Sequence, residues 1–362
     1  MVTDVYNFCT YFDTNYLTRG LSLYRSLHRH CAQAKLWILC MDSFCYEALL
    51  KLNLPNVTLI RLEDFERGDI QLTESKSDRT SVEYYFTCTP SLILYLFQNY
   101  ADLELLTYID SDFFFFSDPT DVLVEVAKHS ISITPHQFPT NQRYLEKKYG
   151  IYNVGWITFR RDQEGMSCLS SWRKQCIEWC YDRVENGRFG DQMYLDDWPN
   201  HYSNLKIINH IGINLAPFNL ANYNLTIRNG MVFVNEAPLI CFHFFGLKKF
   251  LGSVFYFSAN LYGVQPTRTM IDQIYEPYLR SLSTIEDELR PLLSGAVATS
   301  SIRGISQKRT QLGLPQTADK FVMNVKHWMK TFSAILSRRF IVFLHGRVRF
   351  KFILCGLRGL GL

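Results

Sequence analysis

One apolar run near the middle of the chain carries two carboxylates, and it constrains the fold more than any other stretch. Residues 105–116 read Leu-Leu-Thr-Tyr-Ile-Asp-Ser-Asp-Phe-Phe-Phe-Phe, a composition that favours a buried strand. A desolvated carboxylate is costly unless it is paired, hydrogen-bonded or metal-bound. We therefore expect Asp110 and Asp112 at the carboxyl end of a parallel strand, facing a crevice where they suit Mg2+ or Mn2+. The alternative is that they only end the strand and cap the next turn.

Strand and helix patterns alternate through the first 110 residues. Apolar runs of strand length are separated by stretches with helical spacing, and Pro90 is expected to kink the longest helix or to begin its main part. The predicted strands are residues 5–11, 35–40, 57–61 and the run before Asp110, and the predicted helices are residues 18–30, 44–52 and 81–100. This alternation predicts an α/β fold with a mainly parallel sheet and helices on both faces.

Missing motifs argue against several function classes. No G-x-G-x-x-G follows the first strand and no G-x-x-x-x-G-K-[ST] occurs, which argues against a dinucleotide dehydrogenase and a P-loop ATPase. The 10 cysteines include no C-x-x-C pair, and no zinc site is predicted. Asp4 and Asn7 interrupt the first apolar stretch, so we expect no signal peptide and a cytoplasmic protein with reduced thiols.

Charge is distributed unevenly along the chain. The net charge is +4, but residues 320–362 hold nine Lys or Arg and no Asp or Glu, so the rest is mildly acidic. We therefore expect no nucleic-acid partner for the body and an anionic partner for this tail. Apolar residues between 328 and 344 fall near one helical face. No run in this tail reaches the roughly 18 uncharged apolar residues that a helix needs to span a bilayer. The tail is either a helix lying on the inner face of the cell membrane or a helix on the acidic body.

A second group of candidate residues lies far downstream, in the apolar segment Cys-Phe-His-Phe-Phe-Gly-Leu-Lys-Lys-Phe. His243 is either a satisfied core residue or the ligand that completes a divalent-cation site begun by two carboxylates. Gly246 lets the backbone pass close to a ligand. Lys248 places an ammonium where it can meet a diphosphate.

Together these motifs resemble glycosyltransferases of the GT-A fold, and family 8 in particular. Four elements occur in the family's order over about residues 3–250. They are Asp13-Thr-Asn-Tyr16 after strand one, Asp110-x-Asp112 after a buried strand, Asn153-x-Gly155 with Asp191-Gln192 in the middle, and His243-x-x-Gly246 with Lys248 at the end. The chain is most similar to a bacterial group of nucleotide-diphospho-sugar transferases.

The resemblance implies a role for each of these positions. Asp13 would hydrogen-bond a uracil edge and Tyr16 would stack near the base. The other implied roles are Thr10 and Tyr11 lining the base pocket; Asp110, Asp112 and His243 binding Mn2+ or Mg2+; Ser111 contacting the donor; Gly246 and Lys248 at the diphosphate; Asn153 and Gly155 by the sugar and acceptor; and Asp191 and Gln192 beside the anomeric carbon.

Two departures from the family pattern concern the donor. Lys248-Lys249-Phe250 stands where the family has Lys-Pro-Trp, and no Arg occurs in residues 87–100, so Arg79 is expected to substitute. These departures leave the expected catalytic roles unchanged. Lys248 would stabilise the negative charge on the departing diphosphate, and Asp191 or Gln192 would stabilise the oxocarbenium-like sugar.

The sequence therefore predicts a metal-dependent hexosyltransferase that uses a nucleotide diphosphate sugar, expected to be a UDP-sugar, with retention. Its acceptor would be a glycan or lipid-linked, as in polysaccharide biosynthesis. A sugar-nucleotide pyrophosphorylase and a catalytically silent sugar-nucleotide-binding scaffold are the alternatives. The predicted organisation is a GT-A catalytic domain at 1–250, a helical extension at 251–293, a linker at 294–318 and a basic amphipathic tail at 319–362.

Overall fold

The computed structural model describes residues 5–251, 254–293, 340–344 and 347–348. They divide into two compact units. Residues up to 245, together with 261–264, form the first unit, and the remaining described residues form the second. The predicted linker and most of the predicted basic tail lie outside the described residues.

The first part of unit one alternates strands and helices, as the sequence predicts. In chain order the elements are β1 (Tyr6–Phe12), α1 (Leu17–His30), β2 (Ala34–Cys40), α2 (Ser43–Leu52), β3 (Val57–Arg61), α3 (Leu62–Glu66), α4 (Ile70–Glu74), α5 (Ser81–Asn99) and β4 (Leu105–Ile109). A capping box in which Thr80 and Glu83 bond each other's backbone N–H starts α5. Because α5 continues through Pro90, the helix does not begin at that residue.

The second part of unit one is less regular. Its elements are β5 (Phe113–Phe115), α6 (Thr120–Val126), β6 (Ile131–Pro135), α7 (Glu146–Tyr149), β7 (Tyr152–Arg160), α8 (Gln163–Glu178), α9 (Trp198–His201), β8 (Leu205–Ile207), β9 (Leu225–Arg228), β10 (Met231–Val234), β11 (Ala237–Pro238) and β12 (Cys241–His243). Between β6 and β7 the chain forms a 3-10 helix at Thr140–Leu145 as well as α7.

A seven-stranded sheet runs through unit one in the order β3-β2-β1-β4-β7-β6-β8. The pairs among β1 to β4 are parallel, and β6 pairs with β8 in parallel. Only β7 runs antiparallel to its neighbours, β4 and β6. The predicted α/β class with a mainly parallel sheet flanked by helices is confirmed, and one reversed strand modifies it.

The sheet is buried because its strands carry large apolar side chains. Phe8 on β1 meets Trp156 on β7 edge to face at 5.8 Å between ring centroids, and both rings are fully buried. On α8, Trp172 lies 6.0 Å from the ring of Phe159 on β7. Aromatic pairs of this kind add to the free energy gained from burial, so they fix β7 between β4 and β6.

Unit two contains strands as well as the predicted helices. Its elements are β13 (Lys248–Leu251), β14 (Val254–Tyr256), α10 (Arg268–Met270), a π-helix at Ile271–Tyr275, α11 (Glu276–Leu293), β15 (Phe340–Leu344) and β16 (Arg347–Val348). The order β13-β14-β15-β16 forms an antiparallel sheet. The spacing of apolar residues predicts a helical face that includes residues 340–344. The segment Phe-Ile-Val-Phe-Leu instead forms strand β15, because it is rich in residues that favour strands.

No helix in the described ranges is both long enough and apolar enough to cross a bilayer.

Candidate functional site

Asp110 and Asp112 lie on the short connection between β4 and β5. The N–H of Asp110 donates to the Gly155 carbonyl at 3.0 Å, and the Asp110 carbonyl accepts from the Phe113 N–H at 3.2 Å. The Asp112 carbonyl accepts from the Phe244 N–H at 3.0 Å. The backbone of both aspartates is therefore fixed from two sides, by β7 and by the segment that follows β12.

His243 reaches the two aspartates through strand pairing. β12 runs antiparallel to β5 with His243 opposite Phe113, and the imidazole stacks on the Phe113 ring at 4.4 Å. The His243 Nε2 lies 3.1 Å from Asp112 Oδ1 and 3.5 Å from Asp110 Oδ2. One candidate ligand atom from each residue lies within 4.8 Å of the others. The structure thus brings together the three predicted metal ligands.

The three groups perturb one another electrostatically. Burial raises the pKa of Asp110, and the nearby Asp112 charge adds to this effect. Burial also acts on Asp112, but the His243 charge and hydrogen bond outweigh it and lower the pKa of that carboxyl. Burial opposes protonation of His243, yet the carboxylate of Asp112 outweighs it and raises the imidazole pKa. Two carboxylates around one buried ring nitrogen therefore attract positive charge.

This donor set fits a divalent cation. Two carboxylates and an imidazole suit Mn2+ or Mg2+. The side chains of Asp110 and Asp112 are 34% and 15% exposed, which leaves an open side for a substrate. A Cβ on Gly155 would lie 3.2 Å from His243 Cε1, so glycine lets the backbone of β7 approach the imidazole. The His243 Nδ1 is buried and has no hydrogen-bond partner among the described residues.

Two of the residues predicted to contact a base, Asp13 and Tyr16, lie in the loop after β1. Asp13 caps a 3-10 helix at Thr14–Tyr16 by accepting from the Asn15 and Tyr16 N–H groups at 3.0 and 3.2 Å. Tyr16 is 41% exposed, and the Arg19 guanidinium lies over its ring at 4.2 Å. Burial raises the pKa of Tyr16, and the charges of Asp112 and Asp110 raise it further. The loop after β1 therefore lies close enough to feel the charges of the candidate metal-ligand cluster, which consists of Asp110, Asp112 and His243.

Two other predicted base-pocket residues lie on β1 itself. Thr10 is fully buried, and its hydroxyl has no partner in the described part of the chain. The Tyr11 ring lies 5.6 Å from that of Tyr108, and its hydroxyl is 3.2 Å from Thr89 Oγ1. Tyr108 in turn donates to Asp110 Oδ1 at 2.8 Å. A chain of aromatic and hydroxyl contacts thus joins the β1 pocket to the first aspartate.

Sequence reasoning missed several residues that support this pocket. Tyr85 on α5 donates to Asp13 Oδ2 at 3.3 Å. Asp42 accepts from the Thr14 N–H and hydroxyl at 2.7 and 2.6 Å and also caps α2 through the Cys45 N–H. Asp42 is the N-cap of α2, and its bond to Thr14 joins two loops 28 residues apart and leaves no local signal.

Asn153 and Gly155 lie on β7, against the metal-ligand cluster. The Asn153 Oδ1 accepts from the Gly155 N–H at 3.0 Å, and its Nδ2 is buried without a partner in the described residues. A Cβ on Gly155 would meet Asn153, Phe113 and His243 within 3.2 Å. These two residues are therefore brought to the cluster, as predicted.

Asp191 and Gln192 precede a 3-10 helix at Met193–Asp197. Burial and the charge of Asp110 raise the pKa of Asp191 to about 7, while a hydrogen bond with Thr89 opposes the shift. The Gln192 Nε2 donates to the Tyr149 carbonyl at 2.6 Å. Asp191 is therefore near the cluster, and the Gln192 amide is oriented by α7.

Asp196 fixes the start of β7. Its Oδ1 accepts from the N–H groups of Ile151 and Tyr152 at 2.7 and 3.3 Å. Burial raises the pKa of this carboxyl to about 6. Together with the bond from Gln192 to Tyr149, this contact holds residues 149–152 to the helix that follows Asp191.

The other predicted residues lie in different surroundings. The Arg79 side chain is 1% exposed and donates to Thr87 Oγ1 and the Ile177 carbonyl, both at 2.5 Å. Ser111 is buried between the two aspartates. The contacts of Arg79 hold α5 to α8, so the structure gives no support to its proposed substrate role.

Gly246 and Lys248 belong to unit two. Gly246 has a φ of +72°, a conformation that favours glycine. Lys248 pairs with Tyr256 across β13 and β14, and the next residue, Lys249, forms an ion pair with Glu286 at 2.6 Å. Their diphosphate contacts stay predictions.

No protein-family model matches the chain. It is 31% identical over 291 residues to the uncharacterized protein YfnD of Bacillus subtilis (strain 168), covering 79% of this chain and 91% of YfnD. It is 27% identical over 292 residues to the uncharacterized protein YfnF of the same organism, covering 79% of this chain and 94% of YfnF.

Two solved structures are similar at lower identity. The galactosyltransferase LgtC in complex with donor and acceptor sugar analogs has a TM-score of 0.47 and 14% identity, over 66% of this chain and 87% of that one. Mouse xyloside xylosyltransferase 1 in its apo form has a TM-score of 0.44 and 13% identity, over 67% of this chain and 98% of that one.

Proposed function

This chain belongs to the family of Bacillus subtilis YfnD, and we propose that it is a metal-dependent GT-A glycosyltransferase related to family 8. It would transfer a hexose from a UDP-sugar to a glycan or lipid-linked acceptor, with retention. The observation that carries the proposal is the convergence of Asp110, Asp112 and His243, which are contributed by two segments about 130 residues apart. Two carboxylates and one imidazole that converge from distant segments form a donor set suited to a divalent cation.

The three ligands would hold Mn2+ or Mg2+ beside the donor diphosphate. A cation bound there supplies positive charge against the negative charge that develops on the leaving diphosphate. Asp112 contributes most, because its carboxylate lies closer to the His243 Nε2 and its pKa is lowered. Ser111 between the aspartates would contact the donor, and Gly246 and Lys248 would add backbone and ammonium contacts to the diphosphate.

The loop after β1 would recognise the base. Asp13 presents a carboxylate that accepts well from an N–H of a uracil ring, and Tyr85 orients it. Tyr16 offers an exposed aromatic face for the base. Thr10 and Tyr11 would line the inner wall, since both precede this loop on β1.

Asp191 and Gln192 would act at the sugar. The bond from the Gln192 Nε2 to the Tyr149 carbonyl leaves Oε1 as an acceptor without a partner among the described residues. A polar oxygen of this kind stabilises an oxocarbenium-like sugar without taking a proton. Asp191 contributes a carboxyl near Asp110, and the unpartnered Nδ2 of Asn153 can donate to a sugar hydroxyl next to Gly155.

A nucleotide titration followed by a donor assay tests the proposal. Wild-type protein should bind UDP more tightly with Mn2+ than without it, and should release UDP from at least one of a panel of UDP-hexoses. Asp112→Asn should abolish both effects while the protein still folds and unfolds cooperatively. Asp121→Asn, on the exposed face of α6, is the matched control and should behave as wild type.

Three results would count against this function. Metal-independent UDP binding would remove the role of the aspartates. Equal activity of Asp112→Asn and wild type would do the same. Metal-dependent UDP binding without UDP release from any donor would favour the silent binding protein.

A further inference from the structure

A cavity of about 390 Å3 lies beside the end of β6 in unit one. Its volume falls within the range of about 300–1,000 Å3 that is usual for small-molecule sites. It is lined by Pro135, Gln137, Phe138, Thr140, Arg143, Glu146, Ile151, Asn222 and Tyr223. None of these residues belongs to the sites proposed above.

Strand register places this cavity next to the candidate catalytic residues. Pro135 on β6 is opposite Tyr152 on β7, and the preceding pair is Thr134 with Asn153. The Phe138 ring stacks on His136 at 4.8 Å. Phe218 contacts Phe138 in a tilted arrangement at 5.8 Å and His243 edge-on at 6.3 Å. One aromatic layer thus separates the cavity from the metal ligand His243.

The cavity wall is pre-organised around one strained residue. Gln137 has a φ of +55°, which is unusual for a residue other than glycine. Two side chains hold it: Asn222 Nδ2 donates to its carbonyl at 2.6 Å, and the Tyr223 hydroxyl donates to its Oε1 at 2.5 Å. A strained conformation that the surroundings enforce is typical of binding sites.

The polar groups of the wall match a ligand with hydroxyl groups and no net charge. Because its Oε1 is occupied by Tyr223, Gln137 offers its Nε2 as a donor, and Asn222 offers its Oδ1 as an acceptor. Arg143 and Glu146 add one positive and one negative charge, so neither an anion nor a cation is favoured. The half-buried Tyr223 ring supplies apolar surface for the C–H face of a sugar.

We propose that this cavity binds a neutral saccharide, namely the part of the acceptor glycan that lies away from the transferred sugar. The identity of this saccharide as the acceptor rests on the proposed function. Saccharide binding by the cavity does not, because no lining residue contacts Asp110, Asp112 or His243 directly.

Titration of the full chain with methyl β-D-galactopyranoside, methyl α-D-glucopyranoside and inorganic phosphate, followed by NMR, tests this inference. At least one glycoside should bind, and phosphate should not compete with it. Thr140→Trp, at an exposed lining position, should fill the cavity and raise the glycoside Kd at least about tenfold. Asn141→Trp, the adjacent exposed residue outside the lining, should leave the Kd unchanged.

A second variant keeps the test decisive if Thr140→Trp does not fold. Arg143→Ala removes donors from an exposed position and should also raise the glycoside Kd. Equal affinity in wild type and these variants, binding of no glycoside, or displacement by phosphate would each overturn the inference. UDP binding with Mn2+, measured on the same samples, separates this failure from failure of the proposed function.

Discussion

The two parts of unit one contrast in how their strands find their partners. From β1 to β4 every pair is parallel: β1, β2 and β3 pair in chain order, and β4 returns to β1 about 100 residues later. From β5 to β12 most pairs are antiparallel, and β5 is matched with β12 about 130 residues later. The first part supplies Asp110, and the second supplies His243. Local sequence pattern therefore marks the strand that ends at Asp110, whereas antiparallel pairing between distant segments brings His243 to it.

The largest expected effect tests whether both parts form one site. Asp112→Asn removes a ligand next to β4, and His243→Ala removes one from β12. If the two act on one cation, each should lower kcat/KM for UDP-sugar turnover by about 1,000-fold or more, since a metal supplies several kcal/mol. Isothermal titration with Mn2+ should show the same loss of metal affinity in both.

The two variants should differ in stability. Asp112→Asn relieves repulsion from Asp110 but loses the attraction between the Asp112 carboxylate and His243, and it should cost about 0.5–1.5 kcal/mol of unfolding free energy. His243→Ala leaves a space against the Phe113 ring and should cost about 1–3 kcal/mol. Metal affinity retained in either variant would mean that the two segments do not share an ion.

The contrast also explains what could be predicted from sequence. The strands around β1 to β4 follow from apolar runs separated by helical spacing, and Asp110 and Asp112 follow from the cost of burying carboxylates. His243 stands out through its spacing to Gly246 and Lys248 and through the resemblance to a known family, but periodicity does not indicate that β12 pairs with β5. The reversed direction of β7 and the bond from Asp42 to Thr14 arise from tertiary contacts that no local pattern encodes.

A smaller effect is expected where the second part holds β7 in place. Asp196→Ala removes the acceptor for the Ile151 and Tyr152 N–H groups, so Asn153 and Gly155 should shift. A displacement of about 1 Å costs up to about 100-fold in turnover. Loss of the two hydrogen bonds, one exposed and one half-buried, should cost about 1 kcal/mol of stability. Because one oxygen accepts both bonds, Asp196→Asn should restore turnover. Loss of turnover in both variants would instead indicate a need for the negative charge.

A pH titration examines the aromatic layer at the end of β6. Burial lowers the pKa of His136 to about 4, below the ordinary value of about 6.5. The unfolded chain therefore binds more protons between about pH 6.5 and 4, and stability falls as the pH falls through this window. From pH 7 to pH 5 the wild type should lose about 2 kcal/mol more than His136→Phe. Urea unfolding measures this, with the exposed His201→Phe as control; parallel pH profiles for wild type and His136→Phe would contradict it.

The smallest effect compares two helix caps, one in each part of the unit. Asp42 caps α2 and also holds Thr14 beside the proposed base pocket. Asp162 caps α8 through the Gly165 N–H at 2.8 Å and bonds Ser130, away from that pocket. Replacing either by Ala should cost about 0.5–2 kcal/mol of unfolding free energy. Only Asp42→Ala should also weaken UDP binding, by about threefold to tenfold.

Equal UDP affinity in both cap variants would show that the loop after β1 is positioned without Asp42. Weaker binding in Asp162→Ala would mean that general stability, not the bond to Thr14, sets the affinity. The expected difference between the variants follows from geometry alone, because both aspartates cap a helix and only Asp42 also bonds the loop that carries Asp13 and Tyr16.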